Sequence, residues 1–486
     1  MDGSTVDIIS NLPRHVLEKI LACLTIQEAV MTSVLSRKWR CIWKTLPQLV
    51  FNDNFCRGSW TRVKTDKLMM NICKALLLHQ GPILKFTLSL SELKSCPEID
   101  QFISFVSDKG IREFTLHIQK GEPYKVPSTL FSCLQLEHLN LHSCILKSPP
   151  GFKGFARLLS LELNEVRISS DVLSSLASNC LLLERLILRS STSFDYLEIM
   201  APNLKQLCCE GLFKCICIRM RYGADVSLVL KGSRNQLQYN EGEISNSVML
   251  LGSLTTAEVL VLNYPYVKCM AASGVRERLP TTLNNLGSLH LRDICFGEPD
   301  EISIVLYLIR CSPKLQLISI SAFHRATAEI DHVVDLFDLQ GWSDVSLNKL
   351  SYVTLEEVFG IKAEMEFIRL LLAKSPMLET MNIKLKSMVV AERLRIVEEL
   401  GCKCFKQPEE EADSKWVNLS VIENMRSDSS FLKKKMTVAA VEMTVVGNRE
   451  PKTATKSAPK DHAQAAESLL QWRGMMAAPF SLLCRH

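Results

Sequence analysis

No run in this 486-residue sequence reaches the roughly 18 apolar residues that a membrane-spanning helix needs. The opening MDGSTVDII lacks the basic and then apolar segments of a secretory leader. No two cysteines form a C-x2-C pair, and the close pairs Cys215/Cys217 and Cys402/Cys404 have no second half at metal-ligand spacing. G-x-S-x-G, H-E-x-x-H, G-x-x-x-x-G-K-[ST] and G-x-G-x-x-G are all absent, so no motif for hydrolysis, zinc chemistry or nucleotide binding is in view. The ten histidines are scattered and form no constellation. The net charge of +5 is spread along the chain, without the basic stripe of a nucleic-acid surface. These absences lead to the expectation of a reduced cytoplasmic and/or nuclear protein with no metal, cofactor, nucleic-acid or membrane partner. Its 18 cysteines then serve as small core hydrophobes.

Hydrophobic residues are plentiful, at 47%, in a chain too long for one ordinary core. Two or more domains or a solenoid are expected. The first apolar concentration, SNLPRHVLEKILACLTIQEAVMTSVLSRKWRCIWKTLP, reads as three short helices. Pro13 suits a first helical turn, and Val16, Leu17, Ile20, Leu21 and Leu24 make a broad apolar face. Thr25 and Glu28 have capping-box spacing for a second helix, with Ala29, Val30 and Val34 on its inner side. Ser36 is placed to cap a third, which carries Trp39, Ile42, Trp43 and Leu46. So small a piece cannot bury that much apolar area alone, because chains below about 40 residues need a partner or a staple.

This stretch strongly resembles the F-box of plant F-box proteins, with the pattern L-P-x-x-[VL]-L followed by A-V-x-T-S-V-L-S-[RK]-x-W-R-x-[IL]-W. The resemblance implies docking to the Skp-type adaptor of a cullin–RING ubiquitin ligase. Leu12, Pro13, Val16, Leu17, Ile20, Leu21, Val34 and Leu35 would then form or support the adaptor-facing surface. Trp39 and Trp43 read as core.

From about residue 80 the spacing apolar-x-x-apolar-x-apolar recurs. Copies begin at Ile83, Ile111, Leu136, Leu158, Leu183, Leu204, Ala257, Leu286, Leu315, Leu350 and Leu378. Most steps are 21–35 residues; a single step of 53 points to a degenerate copy near Asp225–Leu230. One copy proves little, but the period identifies leucine-rich repeats, each contributing a short parallel strand. The copy at Leu136 completes L-x-x-L-x-L-x-x-C-x-L, with Cys144 turning inward. Outer helices are expected at Asp171–Asn179, Asp300–Cys311 and Ala363–Lys374. Pro202, Pro313 and Pro376 stop such segments two residues before the next strand's first leucine.

The stretch from Leu347 to Leu385 looks like the FBD domain that ends many plant F-box proteins, so residues 8 to about 405 resemble the F-box/FBD/leucine-rich-repeat family. The expected α/β architecture is a three-helix F-box over 8–50, a linker helix within 51–82, repeats over 83–341 and an FBD-like end over 342–405. The family's closing apolar strand is replaced by CKCFKQPEEEADSKW, and 406–486 reads as a disordered tail.

On strands of alternating sides, residues between the leucines face away from the core. His138, His142, Arg185, Arg189, Asn263, His290 and Arg292 are the candidate target-binding residues, and the first four suggest a mildly basic patch suited to a phosphate or an acidic degron. The resemblance implies a non-catalytic, substrate-recognition subunit of an SCF-type E3 ligase. It would join a Skp-type adaptor, and through it the cullin–RING ligase, to an unknown target protein. The alternatives are a small-molecule or hormone co-receptor, and an adaptor-binding scaffold without a role in degradation.

Overall fold

The computed structural model describes residues 12–35, 37, 39–53, 65–189, 194–211, 213–219, 224–230, 256–272, 282–324, 335–337, 345–386, 395–396 and 418–423. Its centre is one 14-stranded sheet in which sequence neighbours are spatial neighbours and every pairing is parallel. The strands are β1 (Gln48–Asn52), β2 (Lys85–Ser89), β3 (Glu113–His117), β4 (His138–His142), β5 (Ser160–Asn164), β6 (Arg185–Arg189) and β7 (Gln206–Gly211). They continue as β8 (Ala224–Leu230), β9 (Ala257–Asn263), β10 (Ser288–Cys295), β11 (Leu317–Phe323), β12 (Tyr352–Val358), β13 (Thr380–Leu385) and β14 (Asn418–Glu423). All eleven copies of the repeat form strands of this sheet, and the degenerate copy is β8.

Two strands of this sheet were not expected. β1 pairs with β2 over five residues, and β14 pairs with β13 over six. The sheet therefore begins at Gln48, within the stretch assigned to the F-box, and ends inside the segment read as disordered tail. That tail reading is corrected at 418–423; the rest of 406–486 lies outside the described residues.

The helices are α1 (Arg14–Ala22), α2 (Ile26–Met31), α3 (Thr65–Leu78), α4 (Glu98–Ser107), α5 (Ser170–Asn179), α6 (Tyr264–Ala272), α7 (Pro299–Arg310) and α8 (Lys362–Lys374). The three outer helices read from periodicity are α5, α7 and α8. The helix expected as a linker is α3, the crossover between two paired strands.

Eight of the eleven repeats share one turn. The strand's first leucine donates its N–H to the carbonyl three residues earlier, as in Leu204 to Ala201 (3.1 Å), Leu315 to Ser312 (3.1 Å) and Leu378 to Ser375 (3.2 Å). Pro202, Pro313 and Pro376 occupy the interior of these turns, where a fixed φ helps and no N–H is needed. Inward residues alternate with outward ones, so Phe51, Phe86 and Phe114 stack across β1–β3 with centroids 6.0 and 5.8 Å apart. One continuous core runs from Leu17 to Ile396, and Cys144 is fully buried within it.

α7 and α8 begin with the same device, a glutamate at the third position folded back into the protein. Glu301 Oε2 accepts from Cys295 N at 2.9 Å, and Glu364 Oε2 accepts from the N–H groups of Phe359, Gly360 and Ile361 at 3.0, 2.7 and 3.1 Å. Gly360 is required there twice over. Its φ is +76°, and a Cβ would strike the Ile396 side chain.

Candidate functional site

The N-terminal module is held by one apolar side. Leu17, Leu21, Ile26, Ala29, Trp39, Ile42, Trp43 and Leu46 are buried. Pro13 sits at the N-cap of α1, and Thr25 and Glu28 form the capping box that starts α2. The third segment is a 3-10 helix, Trp39–Thr45, where an α-helix was expected; Ser36 lies outside the described residues. Arg14 bonds Glu18 at 3.0 Å and Thr45 Oγ1 at 3.1 Å, tying the segment's end to α1. The module is also bonded to the sheet, through Gln80 N to Lys44 O (2.8 Å) and Leu84 N to Pro47 O (2.8 Å).

The other side stays open. Ile20, Leu24 and Val30 are exposed, and Met31, Val34 and Leu35 are 60%, 87% and 66% exposed. Of the predicted adaptor residues, Ile20, Val34, Leu35 and Pro13 lie on the surface, Leu12 and Val16 are half-buried, and Leu17 and Leu21 are buried beneath. Of the three residues expected on the inner side of α2, only Ala29 is buried. Sequence reasoning missed Leu24, Val30 and Met31 as surface. An apolar residue on a short helix does not declare which side is covered.

The second surface is the open face of the sheet, away from the core. Strand register aligns its residues in rows, and β2–β6 carry a continuous polar chain. Glu162 takes Asn140 Nδ2 at 2.9 Å and Arg185 at 3.3 Å. A carboxylate only accepts, so Asn140 must turn Oδ1 toward His117, whose Nε2 donates at 3.0 Å. Nδ1 of His117 is then left to meet Ser89 Oγ, also at 3.0 Å. Burial lowers the His117 pKa, in keeping with this neutral tautomer.

All seven predicted target-binding residues lie on this face, but not as one patch. Arg185 pairs with Glu162, and Arg189 Nε lies 4.0 Å from Glu210, so the expected basic patch is neutralised from within. His138 is exposed and His142 half-buried, its ring 5.9 Å from that of His117. Asn263 and Arg292 are register partners on β9 and β10. Asn263 is buried, and burial with Arg292 nearby lowers His290 to about 4, so His290 offers no charge at neutral pH. Among the described residues there is no group of three side chains able to hold a metal, twelve cysteines from Cys23 to Cys311 are free thiols, and no helix is long and apolar enough to cross a membrane.

The description "F-box domain" fits residues 9–51, and "FBD-associated F-box protein At5g56370, LRR repeats" fits residues 99–320. The F-box/FBD/LRR-repeat protein At1g13570 of Arabidopsis thaliana is 38% identical over 384 residues, which is 78% of this chain and 92% of that protein. The chain belongs to the F-box/FBD/LRR-repeat family. Two further Arabidopsis thaliana relatives are similar over long stretches. The putative FBD-associated F-box protein At5g56440 is 27% identical over 82% of this chain and 97% of its own length. The F-box/FBD/LRR-repeat protein At3g26920 is 26% identical over 66% and 76%. The helical module is thus the F-box. Its match runs on to Phe51, inside β1, so F-box and first repeat share residues.

Proposed function

We propose that this chain is the substrate-recognition subunit of an SCF-type cullin–RING ubiquitin ligase. The F-box docks a Skp-type adaptor and the repeats hold a target protein. The observation that carries the reading is the two-sidedness of the F-box. It buries one apolar side in the chain's own core and leaves Ile20, Leu24, Val30, Met31, Val34 and Leu35 to water. An exposed apolar cluster of this kind marks a protein interaction site. Pro13 and the half-buried Leu12 and Val16 shape its edge, with Leu17 and Leu21 supporting from below. The target side is the open face carrying His138, His142, Arg185, Arg189, Asn263, His290 and Arg292, since solenoids bind through such stacked arrays. Ubiquitin transfer belongs to other subunits, and the complex works in the cytoplasm and/or nucleus.

The test compares proteins recovered on the wild type and on a Val34→Asp/Leu35→Asp variant, with and without proteasome inhibition. Targets are expected to rise on the wild type only under inhibition, and to stay on the variant in both conditions. Recovery that ignores the inhibitor on both proteins would leave an adaptor-bound scaffold with no role in degradation.

A further inference from the structure

The open face is not uniform in what it can offer a partner. From β2 to β7 its lysine, arginine and glutamate side chains are paired with one another. Lys85 pairs with Glu113 at 2.8 Å, Ser89 to Arg185 form the chain described above, and Arg189 faces Glu210. Near the other end Lys384 pairs with Glu356. A partner binding these groups would have to break bonds already made, and the net gain from exchanging one hydrogen bond for another is small.

Between these regions the pattern changes. Arg292 on β10 has no carboxylate within ion-pair distance among the described residues, and it is half-buried. His290 faces Ser319 across β10–β11, and Ser319 faces Thr354 across β11–β12. The hydroxyls of Ser319, Ser321 and Thr354 have no side-chain partner among the described residues and are half-exposed. One uncompensated guanidinium therefore stands beside a row of unused hydroxyls. On the β6–β9 side the middle row of the same face is buried, with Ile187, Cys208, Ser227 and Val261 at 2%, 3%, 0% and 2% exposure.

We propose that β10–β12 is where the solenoid reads its target, seating an aspartate or glutamate of an extended target segment on Arg292. The hydroxyls of Ser319, Ser321 and Thr354 take up the segment's neighbouring polar groups. This rests on the reading of the repeats as the target-binding part. A carboxylate fits better than a phosphorylated residue because a single guanidinium forms two parallel bonds to a carboxylate and matches its one charge. A phosphate carries about −1.5 to −2 and would be left half-compensated by one cation.

The experiment uses a random peptide library displayed on phage, selected on the purified full-length chain in complex with a Skp-type adaptor. Enriched sequences are then synthesised and their affinities measured. The expected peptides share one acidic position. Arg292→Glu weakens them by about 30-fold or more, and exchanging their acid for lysine restores binding to that variant, which a misfolded protein could not do. Arg292→Lys gives an intermediate loss. Peptides without a shared acid, indifference to Arg292→Glu, or tighter binding when phosphoserine replaces the acid would each overturn the proposal. If Arg185→Glu/Arg189→Glu abolishes binding and Arg292→Glu does not, the open face still recognises targets but through other residues. If neither reversal matters, or no peptide is enriched while the adaptor is still bound, target recognition by this face fails together with the proposal.

Discussion

The half-buried His290 and the buried Glu364 have surroundings that act in opposite pH directions. Burial, with Arg292 beside it, lowers His290 from 6.5 to about 4. The unfolded chain then binds this proton more readily, so the contribution is complete above pH 6.5 and is lost as pH falls toward 4. For Glu364, burial outweighs the three N–H bonds and raises the carboxyl from 4.5 to about 7. Here the folded chain holds the proton more readily, so its contribution is present below pH 4.5 and is lost as pH rises through 7. Each slope amounts to about 3 kcal/mol across its window. Denaturant unfolding across that pH range should show His290→Gln losing less stability on acidification than wild type, and Glu364→Gln losing less on the way to neutral pH. Parallel curves for all three proteins would contradict both assignments. Backbone strain gives a second residue-scale prediction. Ser143 and Glu165 follow their strands, and Asp293 and Glu357 lie at the irregularities within β10 and β12, all with φ of 52–58°, a region that costs a side-chain-bearing residue about 1 kcal/mol. Glu165 is exposed. Glu165→Gly should therefore raise stability by about 0.5–1 kcal/mol, read as a higher Tm.

At the scale of elements, the ends of the solenoid carry the tests. β14 covers the edge of β13 over six paired residues. A chain ending at residue 411 loses that strand and leaves an unpaired edge open to aggregation, while one ending at 430 keeps it. The shorter chain should be less stable by roughly 1–3 kcal/mol and aggregate more on heating; equal melting of the two would mean that β14 adds nothing. α2 rests on its capping box, so Thr25→Ala should destabilise the F-box by about 1 kcal/mol and weaken adaptor binding through Val30 and Met31. These elements also mark how far the sequence could be read. The period of the leucines located the strands from β2 to β13, because every inward leucine or its equivalent must be buried by its neighbours in the stack. β1 lies 37 residues before β2 and β14 lies 38 after β13, both outside the 21–35-residue step. QLVFN was also absorbed into the F-box pattern. Candidate site residues were harder to read. Period assigns a side chain to the open face, but only the register reveals that Arg185 meets Glu162, that Arg189 meets Glu210, and that Arg292 meets no carboxylate among the described residues.

At the scale of the whole molecule, the proposed function makes this chain a bridge with two working faces on one continuous core. The hydrogen bonds from Gln80 to Lys44 and from Leu84 to Pro47 seat the F-box on the first repeats, so an adaptor bound at one end is held in a set relation to them. The central claim is that the exposed side of the F-box, and not its buried side, holds the adaptor. The direct measurement is the affinity of the purified chain for a purified Skp-type adaptor, made for wild type and for Val34→Asp/Leu35→Asp, with the Tm of each recorded alongside. The expected result is a one-to-one complex with wild type, a loss of about a hundredfold or more in the variant, and a nearly unchanged Tm, because among the described residues Val34 and Leu35 are 87% and 66% exposed. A variant that binds as tightly as wild type, or a wild type that binds no Skp-type adaptor, would contradict it.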